Sequence, residues 1–377
     1  MAYLIVGAGL WGLTMARLIA EELDEAVEII ESRSHLGGNS WSYFDEDTGI
    51  ECHKYGSHIF HTADTRVWKF IRRFANFTSY RHKVLASNNG KVYTMPINLF
   101  TINAIYGKNF TPQEAREFIA SEAGTAISNR TPENLEEKAL SQIGYPLYET
   151  FIRDYTAKQW GKPPSELSAS IISRLPVRFS YDISYFSDPF QGVPEEGYGK
   201  LFEKMADHPN IHITFNCEFE NIRNEIPQDA RILFTGVPDA LFNYKYGTLE
   251  WRSLNFEWEK LPIADYQGTT VMNYTDAQTS FTRIHEFKHY NPERQEIFSK
   301  PETIICREYP AAWKPGMNAY YPVPGEKNEK LYELYAKEAA AAGIILGGRL
   351  GKYKYLDMDK AIGDAIACFR NNIQGSV

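Results

Sequence analysis

Residues 3–38 constrain this chain more than any other stretch. A short apolar run with a β-branched end, Tyr3-Leu4-Ile5-Val6, leads into Gly7-Ala8-Gly9-Leu10-Trp11-Gly12. Such a run has the composition of a buried parallel strand. Leu13, Ala16, Leu18, Ile19 and Leu23 then recur at roughly helical spacing, so the pattern predicts a helix opening at the third glycine. A second apolar run, Val27-Glu28-Ile29-Ile30, ends on Glu31, about twenty residues past Gly12, where a dinucleotide fingerprint carries its acid. The residue types dictate the chemistry. Gly7, Gly9 and Gly12 permit a tight turn and the close approach of a pyrophosphate, the helix N-terminus offers free N–H groups to that anion, and Glu31 is placed to accept from a ribose 2′-OH.

Length and charge narrow the rest. A chain of 377 residues exceeds one ordinary domain, so two or three are expected. A formal charge of −8 argues against nucleic-acid binding through a general basic field, so an anionic ligand must be met by individually placed arginines. Cys52, Cys217, Cys306 and Cys368 are widely separated and form no CxxC pair, which suggests neither a disulfide framework nor a zinc site. With the nucleotide strand at the very start and no apolar run approaching 18 residues, the expected setting is cytoplasmic, with no membrane association. His58 and His61 flank two apolar residues, but the Gly56-Ser57 turn and the lack of a nearby carboxylate cluster speak against a metal there. They read either as satisfied structural histidines or as histidines beside a cofactor ring.

From residue 98 the pattern turns helical. Thr111-Pro112-Gln113-Glu114 and Thr131-Pro132-Glu133-Asn134 both carry helix-start chemistry. A third helix over 147–160 places Phe151 and Tyr155 four apart, with Thr156 and Trp160 beside them. On pattern alone this stripe reads first as packing between helices. Gly161 and Lys162-Pro163-Pro164-Ser165 end it, and 161–180, with Arg174 and Arg178, is expected to be a mobile loop. Strands are predicted at 211–215 and 231–236, and antiparallel strands within 268–290 and 303–309. A helix over 329–342, a strand at 344–346, the turn Gly347-Gly348-Arg349-Leu350-Gly351 and a helix over 360–372 close the chain. The opening of that last helix, Tyr355-Leu356-Asp357-Met358-Asp359, presents N–H groups suited to a flavin edge.

Longer segments carry a family resemblance. Arg33-Ser34-His35-Leu36-Gly37-Gly38-Asn39 is similar to the R-x-x-x-G-G continuation of two-dinucleotide-binding-domain flavoproteins, which bind FAD. HIFHT (58–62), MPINLFTIN (95–103), YTAKQWGKPPSEL (155–167), SRLPVRF (173–179), FQG (190–192), TRI (282–284), EYP (308–310), YYPV (320–323) and GGRLGKYKYLDMD (347–359) resemble bacterial UDP-galactopyranose mutases along essentially the whole chain. One departure is Ser57, where many members have proline; it lies beside the sugar and flavin site and leaves the exact sugar open.

The resemblance implies a fold and a chemistry. The fold class is α/β, an FAD-binding Rossmann-like domain with an inserted helical bundle and an antiparallel β-sheet domain. The FAD domain is expected to be discontinuous (1–78, 190–240, 340–377), with the helical substrate domain at 98–165. The sheet domain with its mobile loop is expected at 79–97, 166–189 and 241–339. The activity implied is a flavin-dependent isomerisation of UDP-galactopyranose to UDP-galactofuranose for cell-surface glycan supply, through a flavin N5–sugar adduct on reduced FAD. Arg174 and Arg283 then clamp the diphosphate, with Tyr155, Tyr185, Tyr321 and Tyr355. Phe151, Thr156 and Trp160 hold uridine, now favoured over simple helix packing, and Phe186, Asn273 and Arg252 join the substrate site. His58 and His61 act near the sugar and flavin. The flavin is held by Gly7, Gly9, Leu10, Gly12, Glu31, Ser32, Arg33, Gly38, Asn39, His58, Ile59, Phe219, Arg349, Tyr355, Asp357 and Met358. Expected partners are UDP-galactose, a cellular flavin reductant and a second copy in a homodimer. Bottom-up chemistry is compatible: bidentate arginine suits a leaving diphosphate, and a flavin nucleophile makes the missing Ser/His/Asp or Cys/His arrangement expected. The same chemistry on UDP-N-acetylgalactosamine, a flavin oxidoreductase of the amine oxidase type, and a flavin-free binding module of the GDP-dissociation-inhibitor type remain the rivals.

Overall fold

The computed structural model describes residues 3–127, 131–172 and 175–376. They fall into two compact units, 1–80 with 188–250 and 321–377, and 81–187 with 251–320.

The first unit is built on the opening motif. Strand β1 (Tyr3–Val6), helix α1 (Leu10–Glu22) and strand β2 (Val27–Glu31) form as the spacing predicts. β1 pairs in parallel with β2 on one side and with Arg231–Phe234 on the other. Ile211–Phe215 and Ile345–Leu346 extend this parallel sheet to five strands. Chain order thus reverses at β1, the position where an open α/β sheet leaves a crevice at the carboxyl ends of its strands. Leu13, Met15, Ala16 and Ile19 of α1 are fully buried. On a separate face Leu4, Val6, Ile30 and Phe234 share a core with Leu241, Ala339 and Ile344. Helix Glu326–Ala341 therefore belongs to this unit, whereas the sequence grouped residues up to 339 with the sheet domain.

In the second unit, six strands run in the spatial order 251–261, 303–312, 283–286, 271–274, 84–88 and 91–95. Pairing is antiparallel except between 271–274 and 84–88, which are parallel. Strand Trp251–Leu261 and the 84–95 hairpin fall within the expected sheet domain, although the pattern assigned no individual strands there. The hairpin has a local signal, Asn89-Gly90, and both residues sit at positive φ (47° and 77°), as a tight two-residue turn requires. Helices Leu99–Tyr106, Pro112–Ile127 and Leu135–Tyr148 cover a core that includes Ala86, with Tyr93 and Met95 packed against it. Helices and sheet therefore share one hydrophobic interior, although the sequence treated them as separate domains.

Two local details differ from expectation. The second helix start lies at Asn134, whose side chain accepts from the Glu137 N–H, rather than at Thr131. Residues 149–153 form a π turn between two α-helical stretches, and Gly144 (φ 70°) kinks the chain just before Pro146. A π turn adds a residue to the helical repeat and rotates the side chains beyond it, so 147–160 does not present a single straight stripe.

Candidate functional site

In the first unit a cavity of about 380 Å³ opens along the carboxyl ends of β1, β2 and Arg231–Phe234. The motif glycines divide its construction. Gly7 adopts φ +102°, and a Cβ there would lie 2.1 Å from Thr235 Oγ1. A Cβ on Gly12 would meet the Gly7 carbonyl oxygen at 2.2 Å, so this glycine lets α1 close onto the turn. Around Gly9 a Cβ would meet nothing within 4 Å; its space opens into the cavity. α1 has no side-chain cap, so its first N–H groups are available to an anion.

Glu31 is buried. Its Oε2 accepts from the Ala8 N–H at 2.8 Å and its Oε1 from the Arg33 N–H at 2.9 Å. The Ser32 hydroxyl also approaches Oε1 at 3.3 Å, so Oε2 is the oxygen that keeps lone-pair capacity for a ligand hydroxyl. The Arg33 guanidinium stacks on the Tyr55 ring at 4.3 Å and donates to Asn39 Oδ1 at 2.8 Å, so the basic side chain is held at the wall.

Gly7, Gly9, Leu10, Gly12, Glu31, Ser32, Arg33, Gly38, Asn39, His58, Phe219, Arg349 and Met358 all line the cavity. Ile59, Tyr355 and Asp357 do not: Ile59 packs into the core, Tyr355 is exposed, and Asp357 is the N-cap of helix Met358–Cys368. That helix starts two residues before the predicted one, and Met358 and Ala361 bring its first turn to the cavity. Arg349 is fixed by its bond to the Leu356 carbonyl (Nη2–O 2.7 Å) and lies over Tyr355, whose ring stacks on Tyr321 at 6.0 Å. Sequence reasoning missed Cys217, Thr235, Gly236 and Leu241. Thr235-Gly236, a small-residue turn at the end of a parallel strand, was the available signal.

The two histidines are held differently. His58 Nδ1 lies 2.7 Å from the Gly56 carbonyl, and the His58 backbone N–H donates to His53 Nδ1 at 3.0 Å. Buried His53 in turn lies 3.6 Å from the Glu51 carboxylate. His61 sits in strand Phe60–Thr62, opposite Gln191, and its Nδ1 is 2.6 Å from Asp188 Oδ2.

The second unit carries the arginine. Arg283 lies opposite Asn273 on one neighbouring strand and Glu308 on the other. Its Nη2 donates to the Tyr155 hydroxyl at 2.6 Å, and its Nε is 3.4 Å from Glu308 Oε1. Burial works against the Glu308 charge, yet Arg283 and the bond from His285 outweigh it and hold this carboxyl below the usual range. Burial pushes the Tyr155 hydroxyl up to about 12, so it keeps its proton and, while accepting from Arg283, can still donate to an anion. Glu308 was missed although it lies in the quoted EYP segment, because an acid opposite an arginine is visible only once the strands pair.

The other predicted residues in this unit are spread. Phe151 is only 2% exposed and meets the Tyr93 ring edge-on inside the helical core; Thr156 is buried, and Trp160 is half-buried at the edge of that core. Arg252 donates from Nε to the Gln159 carbonyl at 2.9 Å, beside Gly161. The Tyr185 N–H donates to the His82 carbonyl, and Phe186 stacks on the His82 ring. Arg174 lies outside the described residues.

Comparison with known proteins agrees with this geometry. Residues 150–355 match the family model described as UDP-galactopyranose mutase, and residues 5–74 match an NAD(P)-binding Rossmann-like domain. The chain is 42% identical over 365 residues to a probable UDP-galactopyranose mutase of Klebsiella pneumoniae, covering 96% of this chain and 92% of the relative. It is 39% identical to the dTDP-fucopyranose mutase of Escherichia coli, covering 97% and 96%. A reduced UDP-galactopyranose mutase crystal structure shares the fold at a TM-score of 0.76 and 17% identity, over 100% of this chain and 96% of that one. The glycine cradle, the buried acid behind it and these matches together make the chain an enzyme of the UDP-galactopyranose mutase family.

Proposed function

We propose that this enzyme holds FAD in the cavity of the first unit and, with the flavin reduced, interconverts UDP-galactopyranose and UDP-galactofuranose. The observation that carries the reading is Arg283, buttressed by buried Glu308 and hydrogen-bonded to a protonated Tyr155. That is the equipment for holding a departing diphosphate rather than for moving a hydride. The residues around the cavity suit a flavin dinucleotide, since Gly9 leaves room for the pyrophosphate and Glu31 retains acceptor capacity for a ribose. Reduced flavin supplies an electron-rich ring nitrogen able to act as a nucleophile.

The protein's own residues do the rest. Arg283, joined by Arg174, draws charge from the anomeric oxygen, and Tyr155 donates to the same phosphate. His58, fixed through His53 and lining the cavity, is a residue that would hold the flavin. In the second unit Tyr185, Phe186, Asn273 and Arg252 are substrate contacts, with Thr156 and Trp160 toward the base and Phe151 backing them; in the first unit the substrate contacts are Tyr321 and Tyr355. The family resemblance extends the reading to a cytoplasmic homodimer served by a cellular flavin reductant.

A second reading has its own support. A relative 39% identical is named a dTDP-fucopyranose mutase, and this chain carries Ser57 beside His58. The same chemistry on a dTDP-6-deoxyhexose therefore stands beside UDP-galactose and UDP-N-acetylgalactosamine. Dithionite-reduced enzyme incubated with each of the three sugars, and assayed chromatographically for furanose product, decides among them. The proposal expects UDP-galactose to turn over fastest and oxidised enzyme to convert almost none. Full turnover by oxidised enzyme defeats it.

A further inference from the structure

Helix Asp154–Trp160, which carries Tyr155, also carries Lys158 one turn further on. The Lys158 ammonium donates to four main-chain oxygens, those of Tyr274 (2.7 Å), Asp276 (2.8 Å), Thr279 (2.9 Å) and Phe281 (3.2 Å). Three N–H protons serve four acceptors, so one is shared. All four oxygens belong to the end of strand 271–274 and the turn after it, which lead directly into Arg283. The turn has its own clamp, as Asp276 Oδ1 accepts from the Thr279 N–H and hydroxyl. Nothing in that clamp turns four carbonyls toward one point. Their dipoles repel one another in a half-buried place and converge only around a cation.

We propose that Lys158 is a positioning residue for anion binding, its ammonium seated in a four-carbonyl cage that fixes the backbone leading into Arg283 at the place where Tyr155 can bond it. One helix thus pins one hairpin twice, through the Lys158 cage before Arg283 and through the 2.6 Å Tyr155 bond at Arg283 itself. Strand pairing of Arg283 with Asn273 and Glu308 is independent of the cage. Phe151 and Ile152, just before this helix, anchor it in the helical core. Loss of the ammonium therefore loosens the turn without dissolving the sheet. The inference rests on the reading of Arg283 as the diphosphate ligand. It goes further in one respect: converging carbonyl oxygens are the donors that hold potassium in channel filters, so a truncated Lys158 leaves a site that a free monovalent cation can occupy.

The test uses FAD-loaded enzyme and UDP as the probe, in a tetramethylammonium chloride background. Lys158→Met should bind UDP roughly tenfold to a hundredfold more weakly, with unchanged FAD content and faster hydrogen exchange confined to residues 274–283. Lys158→Arg keeps the charge but cannot seat a planar fork in the cage, and should lose UDP affinity as well. Lys158→Ala should recover UDP affinity and slow exchange when potassium or ammonium chloride replaces the background salt at equal ionic strength. The proposal is overturned by wild-type UDP affinity in Lys158→Met or Lys158→Arg, by exchange that quickens throughout the unit, or by Lys158→Ala indifferent to the cation. Should wild-type enzyme bind no UDP, the diphosphate reading fails, and the exchange of 274–283 with and without potassium still decides the cage. If Lys158→Met does not fold, Lys158→Ala prepared in ammonium chloride supplies the same comparison.

Discussion

Arg283 Nη2 and the Tyr155 hydroxyl lie 2.6 Å apart, and Glu308 backs the same guanidinium from the neighbouring strand. The arginine is therefore oriented before any ligand arrives, which lowers the ordering cost of binding an anion. Arg283→Ala should reduce kcat/KM by about 30- to 1,000-fold, the roughly 2–4 kcal/mol carried by a charge-assisted contact to a desolvated phosphate. Tyr155→Phe removes one neutral partner and should cost about 1 kcal/mol, near fivefold. Steady-state kinetics on the reduced enzyme check both, and an Arg283→Ala variant with near-normal turnover removes the clamp.

Gly9 and Gly12 should fail in different ways. Gly12→Ala drives a Cβ to 2.2 Å from the Gly7 carbonyl, so it should lower the melting temperature of the apoprotein and lose FAD together. Gly9→Val puts its Cβ where no protein atom lies within 4 Å and should leave apoprotein melting little changed while the preparation loses its yellow colour. Stoichiometric FAD in Gly9→Val would place the pyrophosphate elsewhere.

Glu31→Ala leaves the Ala8 N–H without the acceptor it now uses at 2.8 Å. An orphaned buried donor costs about 1–3 kcal/mol, and a ribose partner is lost as well. FAD affinity should fall more than in Ser32→Ala, whose hydroxyl makes only a 3.3 Å contact to Glu31. Equal FAD dissociation constants for the two variants would remove Glu31 from cofactor binding.

Two histidines of the second unit should tilt stability in opposite directions with pH. Burial lowers the pKa of His285, against the pull of Glu308. The unfolded chain then binds the extra proton more readily, so His285 costs stability as pH falls through the ordinary histidine value of about 6.5. His289 is also opposed by burial, but Glu286 and Asp265 outweigh it and raise its pKa. Its contribution is complete below about pH 6.5 and is lost as pH rises through the folded value. Between about pH 5 and 8, His285→Gln should flatten the acid side of the melting-temperature curve and His289→Gln the alkaline side. A swap of those two effects, or none from either, would contradict the assigned environments.

The nucleotide half was legible from sequence because its determinants are local. Gly7, Gly9 and Gly12 fix a turn, α1 follows from a 3.6-residue spacing, and Glu31 ends the next strand, so order along the chain already specifies proximity. Family segments pointed to Arg283, Tyr155 and Arg349 for the same chain. What tertiary structure alone decided depends on long-range pairing or on a change of helical phase. The π turn at 149–153 lies within the expected stripe, and Phe151 is turned into the core. Glu308 meets Arg283 only because two distant strands adopt one register. The Lys158 cage exists only because a turn more than a hundred residues later along the chain folds its carbonyls around one side chain. Periodicity and motif spacing encode what neighbours do along the chain; the closure of a charged group by main-chain dipoles from elsewhere has no local signature.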